Sequence, residues 1–162
     1  MTLFVRSATY DDSVGMVEIL NQIIQAGGTT AMQKPVTPSD LVSWMDAHQG
    51  RNGWHVAESS EQQIIGFQYF EPKKKLPVEA ADIASFVRIG AVKQGIGARL
   101  FAETKIAARK TGYRWINATI RADNKGGLAY YDSQGFETWC VDRDAPLSDG
   151  TSVDRISKRF LL

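Results

Sequence analysis

A glycine-bearing loop between a predicted strand and a predicted helix is the segment of this sequence best suited to bind a ligand. It reads Lys93-Gln94-Gly95-Ile96-Gly97-Ala98. Amides in the first turn of a helix have no intrahelical acceptor, and the helix dipole adds partial positive charge there. Glycines let such a backbone approach a phosphate without a Cβ in the way. The pattern predicts an anion site, although loops with two such glycines also occur without a ligand.

Two common phosphate-binding signatures do not fit this loop. A P-loop has Lys followed by Ser or Thr after its second glycine, whereas this chain continues with Ala98-Arg99. The third glycine of a dinucleotide fingerprint is missing, and the sequence lacks repeated βαβ halves. These differences argue against nucleotide hydrolysis and hydride transfer.

Other residue types that serve as nucleophiles, bases or metal ligands are few. The single cysteine, Cys140, excludes an intramolecular disulfide and a Cys-rich metal site. It lies in an apolar run, so we expect it to be a buried structural residue. His55 alternates with Trp54 and Val56 on a predicted strand, and His48 falls at a predicted helix end. We expect no metal.

Charge and hydropathy narrow the function classes further. The formal net charge is +1, and the longest basic run is residues 73–75. We expect that run to be a solvated loop, with a local anchor for an anionic ligand as the alternative, and we expect neither nucleic acid nor a membrane as partner. No segment approaches the ~20 apolar residues of a membrane span, and the N-terminus lacks the apolar core of a signal peptide. A cytoplasmic protein is the expectation.

The elements that must position the loop alternate in type along the chain. Helix starts are signalled by Asp11 or Asp12, by Thr37-Pro38 and by Asn124, and a further helix covers residues 97–110. Strands are predicted at residues 3–8, 54–58, 63–70, 82–89, 115–120, 136–141 and 151–161. The order β-α-α-β-β-β-α-β-α-β-β predicts an α+β fold with a mixed central sheet, helices on both faces and a parallel crossover in the middle. We interpret residues 1–162 as one domain.

Three separated motifs together resemble the GNAT superfamily of N-acetyltransferases. That family carries Gln/Arg-x-x-Gly-x-Gly/Ala after its fourth strand, then an Asn before a short helix that ends in Tyr-x-x-x-Gly-Phe. This chain has Val92-Lys93-Gln94-Gly95-Ile96-Gly97, then Asn124, then Tyr131-Asp132-Ser133-Gln134-Gly135-Phe136. Val92 stands where the family usually has Gln or Arg. The predicted order of elements matches the GNAT fold over essentially the whole chain.

Within the superfamily, the sequence resembles the branch of phosphinothricin and methionine-sulfone acetyltransferases. The similarity lies in Gly28-Thr29-Thr30-Ala31, in Thr37-Pro38, in Trp54-His55-Val56-Ala57-Glu58 and in the closing segment from Asp149-Gly150 to Leu162. Gly28 replaces the acidic residue that usually precedes the Thr pair. This resemblance implies acetyl-CoA as co-substrate and a small, amino-acid-like amine as acceptor, contacted by Thr29 and Thr30. It also implies a homodimer.

The resemblance further implies how acetyl-CoA is held. The fourth strand should lie at a splayed edge, where the pantetheine arm pairs with free backbone groups of Ser85, Phe86 and Val87. The loop from Val92 to Ala98, that is Val92, Lys93, Gln94, Gly95, Ile96, Gly97 and Ala98, would take the pyrophosphate, mainly through backbone amides. Asn124 would bond the pantetheine arm or cap the last helix, and these two roles are compatible.

Residues for acid–base chemistry also follow from the resemblance. Tyr131 is the candidate general acid, since a phenol with a pKa near ~10 is protonated at neutral pH and can donate to the leaving thiolate. Tyr130 is adjacent, but the spacing to Gly135-Phe136 selects Tyr131. Asp82 is the candidate base, acting through a bridging water, with His55 next in order. A backbone amide near Val87 would stabilise the oxyanion. The alternatives are a packing role for Tyr131 and a solvent-exposed role for Asp82.

Two other functions remain open at this point. One is an inactive acyl-CoA-binding module, which the departures at Val92 and Gly28 would allow. The other is an enzyme that acetylates proteins or peptides, for which an open acidic groove would be expected. The bulky segment from Thr29 to Trp44 resembles a lid over a small pocket, which favours a small-molecule acceptor.

Overall fold

Within the described part of the chain, seven strands form one continuous sheet, in the order β1-β2-β3-β4-β5-β7-β6. The computed structural model describes residues 2–91 and 95–162. The elements are β1 (Leu3–Ser7), a 3₁₀ turn (Tyr10–Asp12), α1 (Ser13–Ala26), α2 (Pro38–Ala47), β2 (Gly53–Ser59), β3 (Ile64–Glu71), β4 (Ala80–Val87), α3 (Ile96–Thr111), β5 (Trp115–Arg121), α4 (Lys125–Ser133), β6 (Glu137–Pro146) and β7 (Ser152–Leu161). The predicted element order and the mixed α+β class are confirmed.

Strands β4 and β5 form the parallel pair in the middle of the sheet, joined by the α3 crossover as predicted. Their pairing runs from Ala80 opposite Trp115 to Asp82 opposite Asn117 and then stops. On its other side β4 stays paired with β3 as far as Val87, opposite Gly66. One edge of β4 is therefore without a partner strand beyond Asp82, in the interior of the sheet.

Helices cover both faces of the sheet, and side-chain alternation assigns residues to each face. On one face, α1 and α2 pack on a cluster that includes Trp54, Phe67 and Phe86. On the opposite face, α3 and α4 pack on a second cluster with Phe70 and Ile83. Consecutive residues of β4 therefore point alternately toward the α1–α2 side and the α3–α4 side.

Local sequence explains where the helices begin. The Thr37 hydroxyl accepts from the Asp40 amide while the Asp40 carboxylate accepts from the Thr37 amide, a capping box that begins α2. Asn124 caps α4 by accepting from the Gly127 amide at 2.9 Å. Asp12 is the N-cap residue of α1, but its carboxylate binds Arg6 and the Thr9 amide instead of the helix.

Two sequence-based expectations are wrong in detail. Cys140 is exposed and not buried, because β6 is an edge strand whose residues are almost all exposed on both faces. Strand β4 begins and ends two residues earlier than predicted, and β6 extends to Pro146 instead of ending at Val141. Across residues 2–91 and 95–162, no helix is long and apolar enough to span a membrane.

Candidate active site

The unpaired edge of β4 presents backbone amides to an open gap. The Arg88 amide donates to the Ile65 carbonyl of β3 at 2.8 Å. Because successive amides of a strand point to opposite sides, those of Val87 and Ser85 point away from β3, toward the place where β5 has diverged. These two amides are free to bond a ligand in the gap.

A cavity of about 680 Å³ opens onto this gap. Its walls come from the end of β4 and the residues that follow it, from the start of α3 and from α4 along its length, with Ile23 and Thr29 from the α1 side. The residues predicted for donor binding that line it are Ser85, Phe86, Val87, Gly95, Ile96, Gly97, Ala98, Asn124 and Tyr131. Val92, Lys93 and Gln94 lie outside the described residues. The cavity reaches both faces of the sheet, since Phe86 belongs to one and Ser85 to the other.

The start of α3 has the backbone geometry that an anion site needs. Gly95 is the N-cap residue, with φ +70° and ψ +15°, a left-handed conformation that favours glycine. Gly97, in the first turn, lies against Tyr130, and a Cβ there would come within 2.5 Å of the ring. Glycine at these two positions therefore allows both the turn into the helix and close packing on α4.

Tyr131 lies on α4 with its hydroxyl directed at β4. Its Oη is 2.8 Å from Ser85 Oγ, and the side chain is almost fully buried. Burial raises the pKa of Tyr131 above its usual value, and the Tyr130 side chain and the Asp82 charge raise it further, while the Ser85 hydrogen bond lowers it. The phenol therefore keeps its proton at neutral pH beside the free edge of β4.

Tyr130 also lines the cavity, but its proton is committed elsewhere. Its hydroxyl donates to the Gly97 carbonyl at 2.8 Å and accepts from Gln68 Nε2 at 3.0 Å. Burial raises the pKa of Tyr130 to about 12. Since a carbonyl can only accept, the Tyr130 proton points at Gly97 and is not available to a leaving group. This geometry favours Tyr131 over Tyr130 as a proton donor.

Asp82 is the last residue of β4 that pairs with β5. Its carboxylate accepts from Asn117 Nδ2 at 2.8 Å and lies 3.6 Å from Lys73 Nζ. Burial raises the pKa of Asp82 above its usual value, and Lys73 and Asn117 oppose that rise. A carboxylate with a raised pKa is better suited to accept a proton near neutral pH than an ordinary one. Lys73, expected to be solvated, is exposed but contacts this carboxylate.

Asp82 and Tyr131 lie on opposite faces of the sheet. Asp82 pairs in register with Glu71, whereas Ser85, which contacts Tyr131, pairs with Gln68. The Asp82 charge nevertheless contributes to the raised pKa of Tyr131. The Asp82 charge is thus close enough to disfavour the ionised form of Tyr131, although the two side chains lie on different faces.

His55 lies on the face of the sheet opposite to Asp82. His55 pairs in register with Gln68, which puts it on the α3 side of the sheet, where Glu103 is its charged neighbour. Burial lowers the pKa of His55, and its Nδ1 has no hydrogen-bond partner among the described residues. His48 is exposed at the C-terminal end of α2. In the part of the chain that the structure describes, no cluster of three or more His, Cys, Asp or Glu residues could hold a metal ion.

The Thr pair predicted to contact the acceptor is held by polar side chains at the far end of β5. The Thr29 carbonyl accepts from Asn124 Nδ2 at 3.1 Å, and the Thr30 carbonyl accepts from Arg121 Nη1 at 3.1 Å. Asn124 thus caps α4 and anchors the segment that follows α1, using both ends of its amide. Of the pair, Thr29 lines the cavity and Thr30 does not.

Sequence reasoning missed several polar side chains near the site. Gln68 and Asn117 are both almost completely buried, and both bond the candidate residues. Trp139 donates to Asn117 Oδ1 at 2.9 Å from the neighbouring edge of the sheet. A signal existed for Gln68, because it interrupts the apolar run of residues 64–70 and must be buried and hydrogen-bonded wherever that strand is central.

Comparison with known proteins agrees with this architecture. The chain is 28% identical over 156 residues to "Putative phosphinothricin acetyltransferase YwnH" of Bacillus subtilis, covering 95% of this chain and 94% of that protein. A crystal structure of a putative phosphinothricin N-acetyltransferase superposes with a TM-score of 0.86 at 27% identity, covering 99% of both chains. No protein-family model matches the chain.

A more distant structure shows the same fold with a ligand bound. The GNAT superfamily phosphinothricin acetyltransferase of Sinorhizobium meliloti, in complex with acetyl-CoA, superposes with a TM-score of 0.89 at 20% identity, covering 100% of this chain and 89% of that one. The chain therefore has the fold of the GNAT superfamily of N-acetyltransferases, and its named relatives support an acetyltransferase activity. Within that superfamily it is similar to the phosphinothricin acetyltransferases.

Proposed function

We propose that this enzyme transfers the acetyl group of acetyl-CoA to the amine of a small, amino-acid-like acceptor, by direct attack in a ternary complex. The observation that carries the proposal is the gap beyond Asp82. The gap begins where the Asp82 pairing with β5 stops, and it opens onto a cavity that free β4 amides and the protonated phenol of Tyr131 line, while Asp82 itself lies outside that lining. An amine and a thioester can therefore meet from opposite faces of one sheet.

Donor binding rests on β4 and on the start of α3. The free amides of Ser85 and Val87 would pair with the pantetheine arm as an added strand would. The first-turn amides of α3, which follow Gly95, would bind the pyrophosphate with the help of the helix dipole. Asn124 and Tyr131 complete the opposite wall of the cavity. The cavity volume of about 680 Å³ is in the range of cofactor sites.

The chemistry assigns one step to each candidate residue. Asp82, through a bridging water, takes a proton from the attacking amine. The Val87 amide donates to the oxyanion that forms at the thioester carbonyl. Tyr131 protonates the thiolate when the C–S bond breaks. Overall, an amine and acetyl-CoA are converted to an amide and CoA. Nitrogen loses one proton and sulfur gains one, so the reaction is balanced.

A small acceptor is favoured by the segment after α1. Its backbone is tied down by Asn124 and Arg121, and Gln33 accepts from the Ser148 hydroxyl and the Asp149 amide at the other side. These bonds hold the segment across the α1 side of the site, where a peptide substrate would need an open groove. A single catalytic domain over residues 1–162, a cytoplasmic location and a homodimer remain predictions of the sequence.

Two measurements test the function. Acetyl-CoA should raise the melting temperature, and thiol release should accelerate with amino-acid-like amines but not with peptides. Binding without turnover on any amine would instead indicate an inactive acyl-CoA module, and turnover on peptides a protein acetyltransferase. Absence of stabilisation by acetyl-CoA would refute all three.

The roles of the two tyrosines are tested by matched variants. Tyr131→Phe should lower kcat by roughly 10²- to 10⁴-fold, the range for a positioned acid–base group, with acetyl-CoA affinity nearly unchanged. Tyr130→Phe, which loses the bond to the Gly97 carbonyl, should weaken acetyl-CoA binding more than it lowers kcat. Equal kcat for Tyr131→Phe and the unmodified enzyme, in single-turnover measurements, would rule out Tyr131 as the general acid.

A further inference from the structure

Gln68 is a fully buried amide near the centre of the sheet, and it interrupts the apolar run of residues 64–70 in β3. A buried amide without partners destabilises a fold, and Gln68 avoids this because every one of its hydrogen-bonding groups is used. Its Oε1 accepts from Thr104 Oγ1 of α3 at 2.6 Å. Its Nε2 donates to Ser85 Oγ at 2.8 Å and to Tyr130 Oη at 3.0 Å.

The orientation of this amide follows from its surroundings. Tyr130 Oη gives its one proton to the Gly97 carbonyl, which can only accept. The Gln68 atom 3.0 Å from Tyr130 Oη must then be a donor, and that atom is Nε2. The reversed amide would bring two acceptors together at Tyr130. Both Nε2 protons are therefore committed, one to Tyr130 and one to Ser85.

The hydrogen bond from Gln68 also determines whether Ser85 donates to Tyr131 or accepts from it. Ser85 Oγ accepts the Gln68 proton, and its own hydroxyl proton is left for Tyr131 Oη, 2.8 Å away. A hydroxyl that accepts a hydrogen bond becomes a stronger donor. When Ser85 donates to Tyr131, the phenolic proton is free to point into the cavity.

We propose that Gln68 is a positioning residue for the acetyl transfer: it holds Ser85 as a hydrogen-bond donor to Tyr131, so that the Tyr131 proton is directed at the leaving thiolate. The inference rests on the proposed role of Tyr131 as general acid. When the C–S bond breaks, the thiolate takes the phenolic proton, and the phenolate that remains is stabilised by the Ser85 hydroxyl. Gln68 itself touches neither substrate and keeps its protons throughout.

The same amide links donor binding to chemistry. Through Tyr130 it is connected to the Gly97 carbonyl in the first turn of α3, beside the predicted pyrophosphate site. Through Ser85 it is connected to Tyr131. One side chain thus sets the positions of both tyrosine hydroxyls relative to β4.

A double-mutant cycle between Gln68→Met and Tyr131→Phe tests the inference. Gln68→Met keeps the side-chain volume and removes both donors. In the unmodified enzyme it should lower the single-turnover rate on the order of tenfold, a part of what a positioned acid–base group contributes. Its effect on the acetyl-CoA dissociation constant, measured by calorimetry, should be smaller. In the Tyr131→Phe background it should lower the rate no further, because Gln68 acts through the phenol.

The outcomes separate the inference from the proposed function. Suppose that Tyr131→Phe slows the reaction and that Gln68→Met lowers the single-turnover rate by the same factor in both backgrounds. Gln68 is then a structural residue, and the inference fails while the assignment of Tyr131 as general acid stands. If Tyr131→Phe has no effect on the rate, the general-acid assignment fails and the inference with it. If Gln68→Met does not fold, Ser85→Ala carries the same cycle, with Ser85→Thr expected to restore part of the rate because it keeps the hydroxyl.

Discussion

At the scale of single residues, the balance between burial and the neighbouring polar groups determines whether the Asp82 carboxylate can act as a base. Burial raises the pKa of the carboxyl, while the Lys73 ammonium 3.6 Å away and the Asn117 amide lower it. A general base needs both effects, because an ordinary carboxylate accepts a proton poorly and a fully buried one stays protonated. Lys73 thus keeps Asp82 ionised at a lower pH than burial alone would allow.

We expect Lys73→Met to move the acid limb of the kcat profile to higher pH. Without the ammonium, the pKa of Asp82 rises further, so the base is protonated over a wider range at low pH. Lys74→Met is the matched control, since Lys74 is exposed and belongs to the same basic run. The measurement is kcat against pH for both variants. Superimposable profiles for the Lys73 and Lys74 variants would mean that Asp82 does not act as the base.

At the scale of elements, the first turn of α3 packs closely against α4 beside the site. Gly97 has Tyr130 Cε1 within 2.5 Å of where a Cβ would stand, and that ring is held by bonds to Gly97 and Gln68. Gly126, in the first turn of α4, has nothing closer than Asn124 Oδ1 at 3.9 Å. The two glycines therefore differ in the room available for a side chain, although both lie in helices and both line the cavity.

Gly97→Ala should therefore destabilise the fold by about 1–3 kcal/mol, the usual cost of overpacking, and should weaken acetyl-CoA binding by displacing Tyr130. Gly126→Ala should leave stability unchanged or raise it by up to about 1 kcal/mol, since alanine is the better helix former. Urea unfolding of both variants gives the comparison. A Gly97→Ala protein as stable as the Gly126→Ala protein would show that the α3–α4 joint tolerates a shift.

The elements differ in how far the sequence alone could predict them. Helix starts with a clear chemical signal, such as Thr37-Pro38 and Asn124, were predicted to the residue. The bounds of β4 and β6 were not, because strand ends depend on neighbouring strands that local sequence does not identify. The expectation that Cys140 is buried is wrong for the same reason, because an apolar run does not indicate whether its strand is central, and β6 lies at an edge of the sheet.

The candidate site, too, could be predicted from the sequence only in part. The predicted donor-binding residues 85–87 and 95–98, with Asn124 and Tyr131, do line one cavity, because the family resemblance implies how these separate segments are arranged in the fold. The network around Gln68 joins α3, α4, β3 and β4, and the contact of Asp82 with Asn117 joins β4 to β5. Such bonds arise only when distant segments come together, so spacing along the chain could not indicate them.

At the scale of the whole molecule, Asp82 is expected to cost stability for the sake of activity. Its folded-state pKa is raised, so folding binds its proton more tightly than the unfolded chain does. Stability from this group is then fully present below the unfolded pKa and is lost as pH rises through the folded pKa. At pH 8 the ionised, half-buried carboxylate lowers the free energy of unfolding.

Asp82→Asn should accordingly be at least as stable as the unmodified protein at pH 8, while its acetylation rate falls sharply. The stability advantage should shrink as pH is lowered toward 4, where Asp82 in the unmodified protein becomes neutral. Urea unfolding at both pH values, beside thiol-release rates, provides the measurement. A strongly destabilised Asp82→Asn protein at pH 8 would indicate that the pair with Lys73 stabilises the fold after all.

The early divergence of β4 and β5 also bears on self-association. An unpaired strand edge at the rim of a sheet can recruit a second chain and begin aggregation. The free edge of β4 is instead in the middle of the sheet, between α1 on one face and α3 with α4 on the other. The molecule therefore keeps an open β-edge permanently available to a slender ligand arm, without exposing it to the edge strands of other polypeptides.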